Sequence, residues 1–112
     1  MARKDGAGIL AIALATGRAL VLLRSRYVTD PLTWSVPGGG EEPSDRGRLR
    51  STAVREFIEE TGHEPGRMLP VIAALVRPDG SRFEMYAAFL DREFRPRVTT
   101  PPAKAGGFLG HA

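Results

Sequence analysis

Between Ser51 and Thr61 the residues Val54, Phe57, Ile58 and Thr61 fall at i, i+3, i+4 and i+7, the spacing of one helix face. The same stretch holds Glu56, Glu59 and Glu60. At ~100° per residue, Glu56 and Glu60 lie about 40° apart and Glu59 about 60° to the other side, so three carboxylates share an arc of roughly 100°. Like charges one turn apart destabilise a helix, so such a stripe needs a positive neighbour. Arg55 supplies one, being the i,i+4 neighbour of Glu59, though with the cation N-terminal to the acid, the weaker orientation. A divalent ion supplies more, because hard oxygen ligands on one face suit magnesium or manganese, with waters and phosphates completing the shell. The competing reading is a solvated acidic face. Gly62 is suited to end the helix in a left-handed conformation, and Pro65-Gly66 reinforce the stop. Extended backward, the helix would put Leu49 about 20° from Glu56, on the acidic stripe. The regular helix is therefore expected to begin near Ser51, acting as N-cap.

Strand signals flank this helix. Ile9 to Leu14 and Ala19 to Arg24, around Thr16-Gly17, read as a hairpin of strands buried on both faces. Leu32 to Val36 reads as a short strand containing Trp34, followed by Pro37-Gly38-Gly39-Gly40, a rigid turn able to bring bare backbone close to a ligand. Glu41 to Arg50 begins as loop, and its Arg46, Arg48 and Arg50 read first as solvated charge. Val71 to Val76 is a further apolar strand, and Arg77-Pro78-Asp79-Gly80 a hairpin turn. Arg82 to Leu90 alternates, with Phe83, Met85, Ala87 and Phe89 on one face and Arg82, Glu84 and Tyr86 on the other. Beyond Asp91 no period is visible. Strands, one helix, then strands make an α+β fold, a mixed α/β sandwich, in one domain over residues 1–112.

Composition narrows the chemistry. The absence of cysteine excludes disulfides, thiolate zinc sites and a cysteine nucleophile, and two histidines, His63 and His111, are too few for a histidine-built metal site. Carboxylates are the remaining ligands. A net charge of +3 favours anionic partners such as nucleotides. Lysine and arginine are scattered rather than gathered with aromatic residues, which argues against a nucleic-acid-binding module. No stretch reaches the ~20 apolar residues of a membrane span. The two apolar runs near the start read as a hairpin rather than a secretion signal, so a cytoplasmic protein is expected.

Arg55-Glu56-Phe57-Ile58-Glu59-Glu60-Thr61-Gly62 resembles the second half of the motif of the Nudix hydrolases: Gly, five residues, Glu, seven residues, then Arg-Glu-(apolar)-any-Glu-Glu-any-Gly-(apolar). Every defined position matches except the last, where His63 stands for an apolar residue. Trp34-Ser35-Val36-Pro37-Gly38-Gly39-Gly40 and Leu22-Leu23-Arg24 are similar to segments that precede the motif, and the likeness spans about half the chain. The resemblance implies a Nudix-like mixed sheet and Mg2+ or Mn2+ bound by Glu56, Glu59, Glu60 and the carbonyl of Gly39. It implies Arg55 orienting the carboxylates, with Arg55, Glu59 and Glu60 in catalysis. Arg24 and Trp34 are the expected substrate contacts. The implied reaction is cleavage of a diphosphate linkage in a nucleoside diphosphate joined to a further group, with Glu59 or Glu84 as base.

Two departures stand out. Five residues on from Gly39 is Asp45 rather than Glu, and nine residues rather than seven separate it from Arg55. The surplus is expected in the loop from Asp45 to Arg50. In the family the first acid braces the arginine, so its shortening opens a second reading, a Nudix-like binding domain without catalysis. Family members also continue into a closing helix, whereas Thr100 to Ala112 has no helical period. That helix is expected to be absent or truncated, leaving one side of the sheet for a homodimer to cover.

Overall fold

The structure, a computed structural model, describes residues 4–24, 34–97 and 103–109. Strand β1 (Gly6–Ala13) turns through Thr16-Gly17 into β2 (Ala19–Arg24), the expected hairpin. Short strands β3 (Trp34–Ser35) and β4 (Gly38–Gly40) lead through a 3-10 turn, Pro43–Asp45, into helix α1 (Leu49–Thr61). Then come β5 (Arg67–Val76), β6 (Arg82–Leu90) and β7 (Ala103–Leu109). The sheet runs β3-β2-β1-β6-β5, with β4 paired to β1 and β7 to β2. All its pairings are antiparallel except β1 with β6, which makes it mixed.

Four expectations are corrected. The three glycines are not a turn but a strand, with Gly6, Ala7 and Gly8 opposite Gly40, Gly39 and Gly38. The unpatterned tail contains β7, antiparallel to β2. Helix α1 begins at Leu49 with Arg48 as N-cap, two residues before Ser51. Its acidic stripe is a solvent face only at Glu59: Glu60 is buried, and Leu49 at the stripe's start packs against the core, so an apolar residue belongs there. Accordingly the buried face of α1 is Thr52, Ala53, Phe57, Glu60 and Thr61, while Ile58 is exposed.

The fourth correction concerns β6. Its core-facing residues are Tyr86, Ala88 and Leu90, not the Phe83 series. Between β1 and β5 the strand has apolar residues on both faces, so alternation alone does not say which face meets the helix. Side-by-side pairing of Ile9 with Tyr86, Ala11 with Ala88 and Ala13 with Leu90 builds the floor on which Ala53 and Phe57 sit. Phe94 closes the end of this core, edge-on to Phe57 at 6.3 Å and to Phe108 at 5.5 Å, and stacked on His63 at 4.1 Å. Strand β5 is different. Leu69, Val71, Ile72, Leu75 and Val76 are all exposed on this sheet edge, where Pro70 and two register shifts interrupt the ladder. Among the described residues no helix is long and apolar enough to cross a membrane.

Phe57 is fully buried at the centre of this contact. Phe57→Ala is expected to cost about 3–5 kcal/mol, a large part of the roughly 5–15 kcal/mol that holds a domain. Urea unfolding checks this; a midpoint close to that of the parent protein would mean that α1 is anchored elsewhere.

Candidate active site

The carboxylate helix is tied to the chain before it through Asp45, at the end of the 3-10 turn. Arg46 (φ 55°) and Gly47 (φ 72°) then reverse the chain in successive left-handed conformations before α1 starts, within the loop from Asp45 to Arg50. Asp45 is only 4% exposed. Its Oδ1 accepts from Arg55 Nε at 3.0 Å, and its Oδ2 accepts from Arg55 Nη2 at 3.0 Å, Thr52 Oγ1 at 2.7 Å and the Glu42 amide at 2.9 Å. The shortened acid thus still makes a two-nitrogen fork with the motif arginine. Arg55 holds the Asp45 carboxyl well below the usual carboxylate range, assisted by the Glu42 amide and the Thr52 hydroxyl against the opposing effect of burial. Conversely Asp45, then Glu59 and Glu56, raises the Arg55 guanidinium against the effect of burial.

The rest of the guanidinium faces the acidic stripe. Nη1 lies 3.0 Å from Glu56 Oε1, 3.2 Å from both Glu59 oxygens and 3.4 Å from Glu42 Oε2, while Nη2 donates to the Gly40 carbonyl at 2.9 Å. Glu60 reaches the other way and accepts from the Gly38 amide at 3.0 Å. Glu56 lies against Gly39: a Cβ built there would stand 2.5 Å from the Glu56 carboxyl carbon. Gly39 has no left-handed φ, so space rather than conformation demands glycine.

The placement of Gly39 bears on the carbonyl expected from it. The Ile9 amide donates to Pro37 O and the Glu41 amide to Asp5 O. Antiparallel alternation makes Ala7 and Gly39 the hydrogen-bonded pair between them, so the Gly39 carbonyl turns into the sheet. The β4 carbonyls that point away from β1 are those of Gly38 and Gly40.

These donors suit a hard divalent cation in chemistry, being carboxylate and carbonyl oxygens gathered around one positive group. The cage is not preassembled. Among the described residues no three acidic or histidine side chains converge as a metal-binding group. Glu56 and Glu59 meet on Arg55 Nη1, while Glu60 is turned to β4.

Glu84 does not face outward as its alternation suggested. It lies beside the buried Ala7, which pairs on its other edge with Gly39, so Glu84 shares the sheet face covered by α1. It accepts from Tyr86 Oη at 2.8 Å and Arg82 Nε at 2.7 Å, and these donors, Tyr86 first, lower its pKa. Burial, then Glu84, pushes the Tyr86 hydroxyl up to about 12. Tyr86 is core, with Arg50 over its ring. The side chains of Arg24 and Trp34 lie outside the described residues; their backbones belong to β2 and β3. A hollow of about 590 Å³ lined by His63, Arg67 and Asp91 lies beyond the carboxyl end of α1 and contains none of the motif acids. Sequence reading passed over Thr52, because a lone threonine in a helix carries no motif; its signal is burial.

The family model described as NUDIX domain matches residues 2–105. A Streptomyces rubellomurinus protein named CMP-5'-(N-acetyl-N-hydroxy-3-aminopropyl)phosphonate hydrolase is 40% identical over 63 residues, which are 56% of this chain and 30% of that protein. The chain thus spans less than a third of the length of that curated relative. The NUDIX domain of Shewanella oneidensis NrtR, solved with ADP ribose, superposes with a TM-score of 0.76 at 16% identity, over 96% of this chain and 73% of that one. A Nitrosomonas europaea NUDIX hydrolase gives 0.77 at 20% identity, over 98% and 58%.

Two outcomes follow from this geometry. The folded pKa of Asp45 lies below its unfolded value, so its contribution to stability is present above about pH 4 and is lost as pH falls further. Asp45→Asn is therefore expected to flatten the acid limb of a stability-against-pH curve; an unchanged limb would remove Asp45 as the titrating brace. Gly39→Ala is expected to keep the fold while displacing Glu56 and weakening Mn2+ binding by at least about tenfold, the scale of a disturbed ligand support. Titration calorimetry beside thermal melting separates the two effects.

Proposed function

Since the chain belongs to the Nudix family, we propose that it is a metal-dependent hydrolase that cleaves the diphosphate linkage of a nucleoside diphosphate joined to a second group. The observation that carries this reading is the Arg55 guanidinium, forked on buried Asp45 and holding Glu56 and Glu59 on its other side. A decayed site has no reason to keep a buried acid for an arginine whose free edge meets the carboxylate stripe. The named relatives support the substrate class, one by its CMP-linked phosphonate and one by its bound ADP ribose.

Glu56, Glu59 and Glu60 would hold Mg2+ or Mn2+, with a backbone carbonyl from the strand Gly38–Gly40. A bound divalent ion neutralises phosphate charge and lowers the pKa of a coordinated water. The protein's own part is orientation and proton handling. Arg55 fixes the spread of Glu56 and Glu59, and β4 lets the diphosphate approach bare backbone. Glu59 would take the proton from the attacking water, a role its exposure supports, 54% of its side chain being open. Water oxygen bonds to one phosphorus, the bridging P–O bond breaks, and the bridging oxygen leaves on the other phosphate. Arg24 and Trp34 are the proposed contacts to the rest of the substrate, and a cytoplasmic protein, monomeric or a homodimer, fits such a role.

The test is a panel of nucleoside di- and triphosphates, dinucleoside polyphosphates, nucleotide sugars and CMP-linked phosphonates, with Mg2+ or Mn2+, read by released phosphate or monophosphate. Turnover of at least one compound is expected. Glu60→Gln should lower it at least about 100-fold, beyond the 10–100-fold typical of outer-shell partners. Nucleotide binding without turnover of any compound would favour the binding-domain reading instead.

A further inference from the structure

We propose that Thr52 is a positioning residue for Arg55, acting through Asp45, and that it is what lets this chain use a shortened acid in the brace. The inference rests on the carboxylate site just described, and it concerns a position that the family pattern leaves undefined between the first acid and the arginine.

Thr52 is fully buried on the face of α1 that meets the sheet. A threonine inside a helix ordinarily turns its hydroxyl back to the carbonyl four residues earlier. Here that carbonyl, Arg48 O, is 3.4 Å away, whereas Asp45 Oδ2 is at 2.7 Å. The hydroxyl has one proton, and the shorter distance assigns it to the carboxylate. Asp45 Oδ2 thereby has three donors, from Glu42, Thr52 and Arg55, while Oδ1 takes Arg55 Nε.

The geometry follows from the two sequence departures together. An acid one methylene shorter has less reach, so its carboxylate has to be held in plane for both guanidinium nitrogens to meet it. The reversal at Arg46-Gly47 and the start of α1 at Leu49 place Thr52 beside Asp45. One face of the guanidinium is then fixed by Asp45, and the remaining N–H groups meet Glu56, Glu59 and Gly40 O at 2.9–3.2 Å. Thr52 touches none of the stripe carboxylates in this scheme and sets their spacing at second hand.

The experiment compares Thr52→Val, which replaces the hydroxyl by a methyl of similar size, with Thr52→Ser, which keeps the hydroxyl. The first readout needs no metal: solvent exchange of the Arg55 Nε–H, followed by 1H–15N NMR in metal-free protein. Exchange at least about tenfold faster in Thr52→Val, with Thr52→Ser near the parent, is expected. The second readout is Mn2+ affinity by paramagnetic resonance, expected to fall about tenfold in Thr52→Val and to be restored in Thr52→Ser. If Thr52→Val melts lower but keeps the parent exchange rate at Arg55 Nε–H, Thr52 only fills space and the proposal fails. Should Thr52→Val not fold, Thr52→Cys, of similar size with a weak donor, decides by the same exchange measurement. Failure of the parent protein to bind Mn2+ would overturn the metal site but leave the Arg55 exchange result to judge Thr52.

Discussion

Arg55 is the cation on which the local architecture turns. Its three nitrogens meet Asp45 on one side and Glu56, Glu59 and the Gly40 carbonyl on the other. Removing it would leave Asp45 charged, buried and without its principal partner, a loss on the order of 3–5 kcal/mol for a buried pair. It would also remove the positive charge that opposes the repulsion between Glu56 and Glu59. The same contacts join the 3-10 turn, strand β4 and helix α1, which have few apolar side chains in common. A polar bond set here does the work that aliphatic packing does between α1 and β1.

That arrangement explains how an insertion beside the motif is tolerated. Two extra residues in a helix would rotate the stripe by about 200°. Extra residues in the loop before α1 rotate nothing, because the left-handed pair Arg46 and Gly47 reverses the chain before the helix begins. Glycine adopts φ 72° freely, whereas Arg46 at φ 55° is a strained choice, of order 1–3 kcal/mol for a side-chain-bearing residue. The fold offsets that strain with the Asp45 contacts immediately before it.

Much of this was legible in the residues. The hairpin around Thr16-Gly17, the bounds of β2 and β6 and the helix stop at Gly62 follow from turn chemistry and period, and the mixed sheet from the resemblance to the Nudix hydrolases. Partner-dependent features were not legible. Strand β4 has no side chains to show a pattern, and Ala103–Leu109 mixes lysine, glycine and alanine, so both are strands because a neighbour pairs with them. Val54 and Ile58 share the helical period with Phe57, but the buried face takes Thr52, Glu60 and Thr61, because Asp45, the Gly38 amide and the Phe57 carbonyl respectively offer those polar groups partners. For β6, two apolar faces left the choice to its neighbours.

Strand β4 also resolves an apparent contradiction in the carboxylate stripe. A helix normally turns its charges away from a sheet, since burying an unpaired carboxylate is expensive. Here the strand beneath has no side chains, so Glu56 approaches Gly39 to a distance that any Cβ would block, and Glu60 takes an amide hydrogen from Gly38. The glycines thus supply space and a backbone donor together. Acids that would be a liability on any other strand are here held against backbone, Glu56 over Gly39 and Glu60 on the Gly38 amide. The glycine strand and the acidic helix therefore form one device: the strand's missing side chains let the helix turn its charges inward.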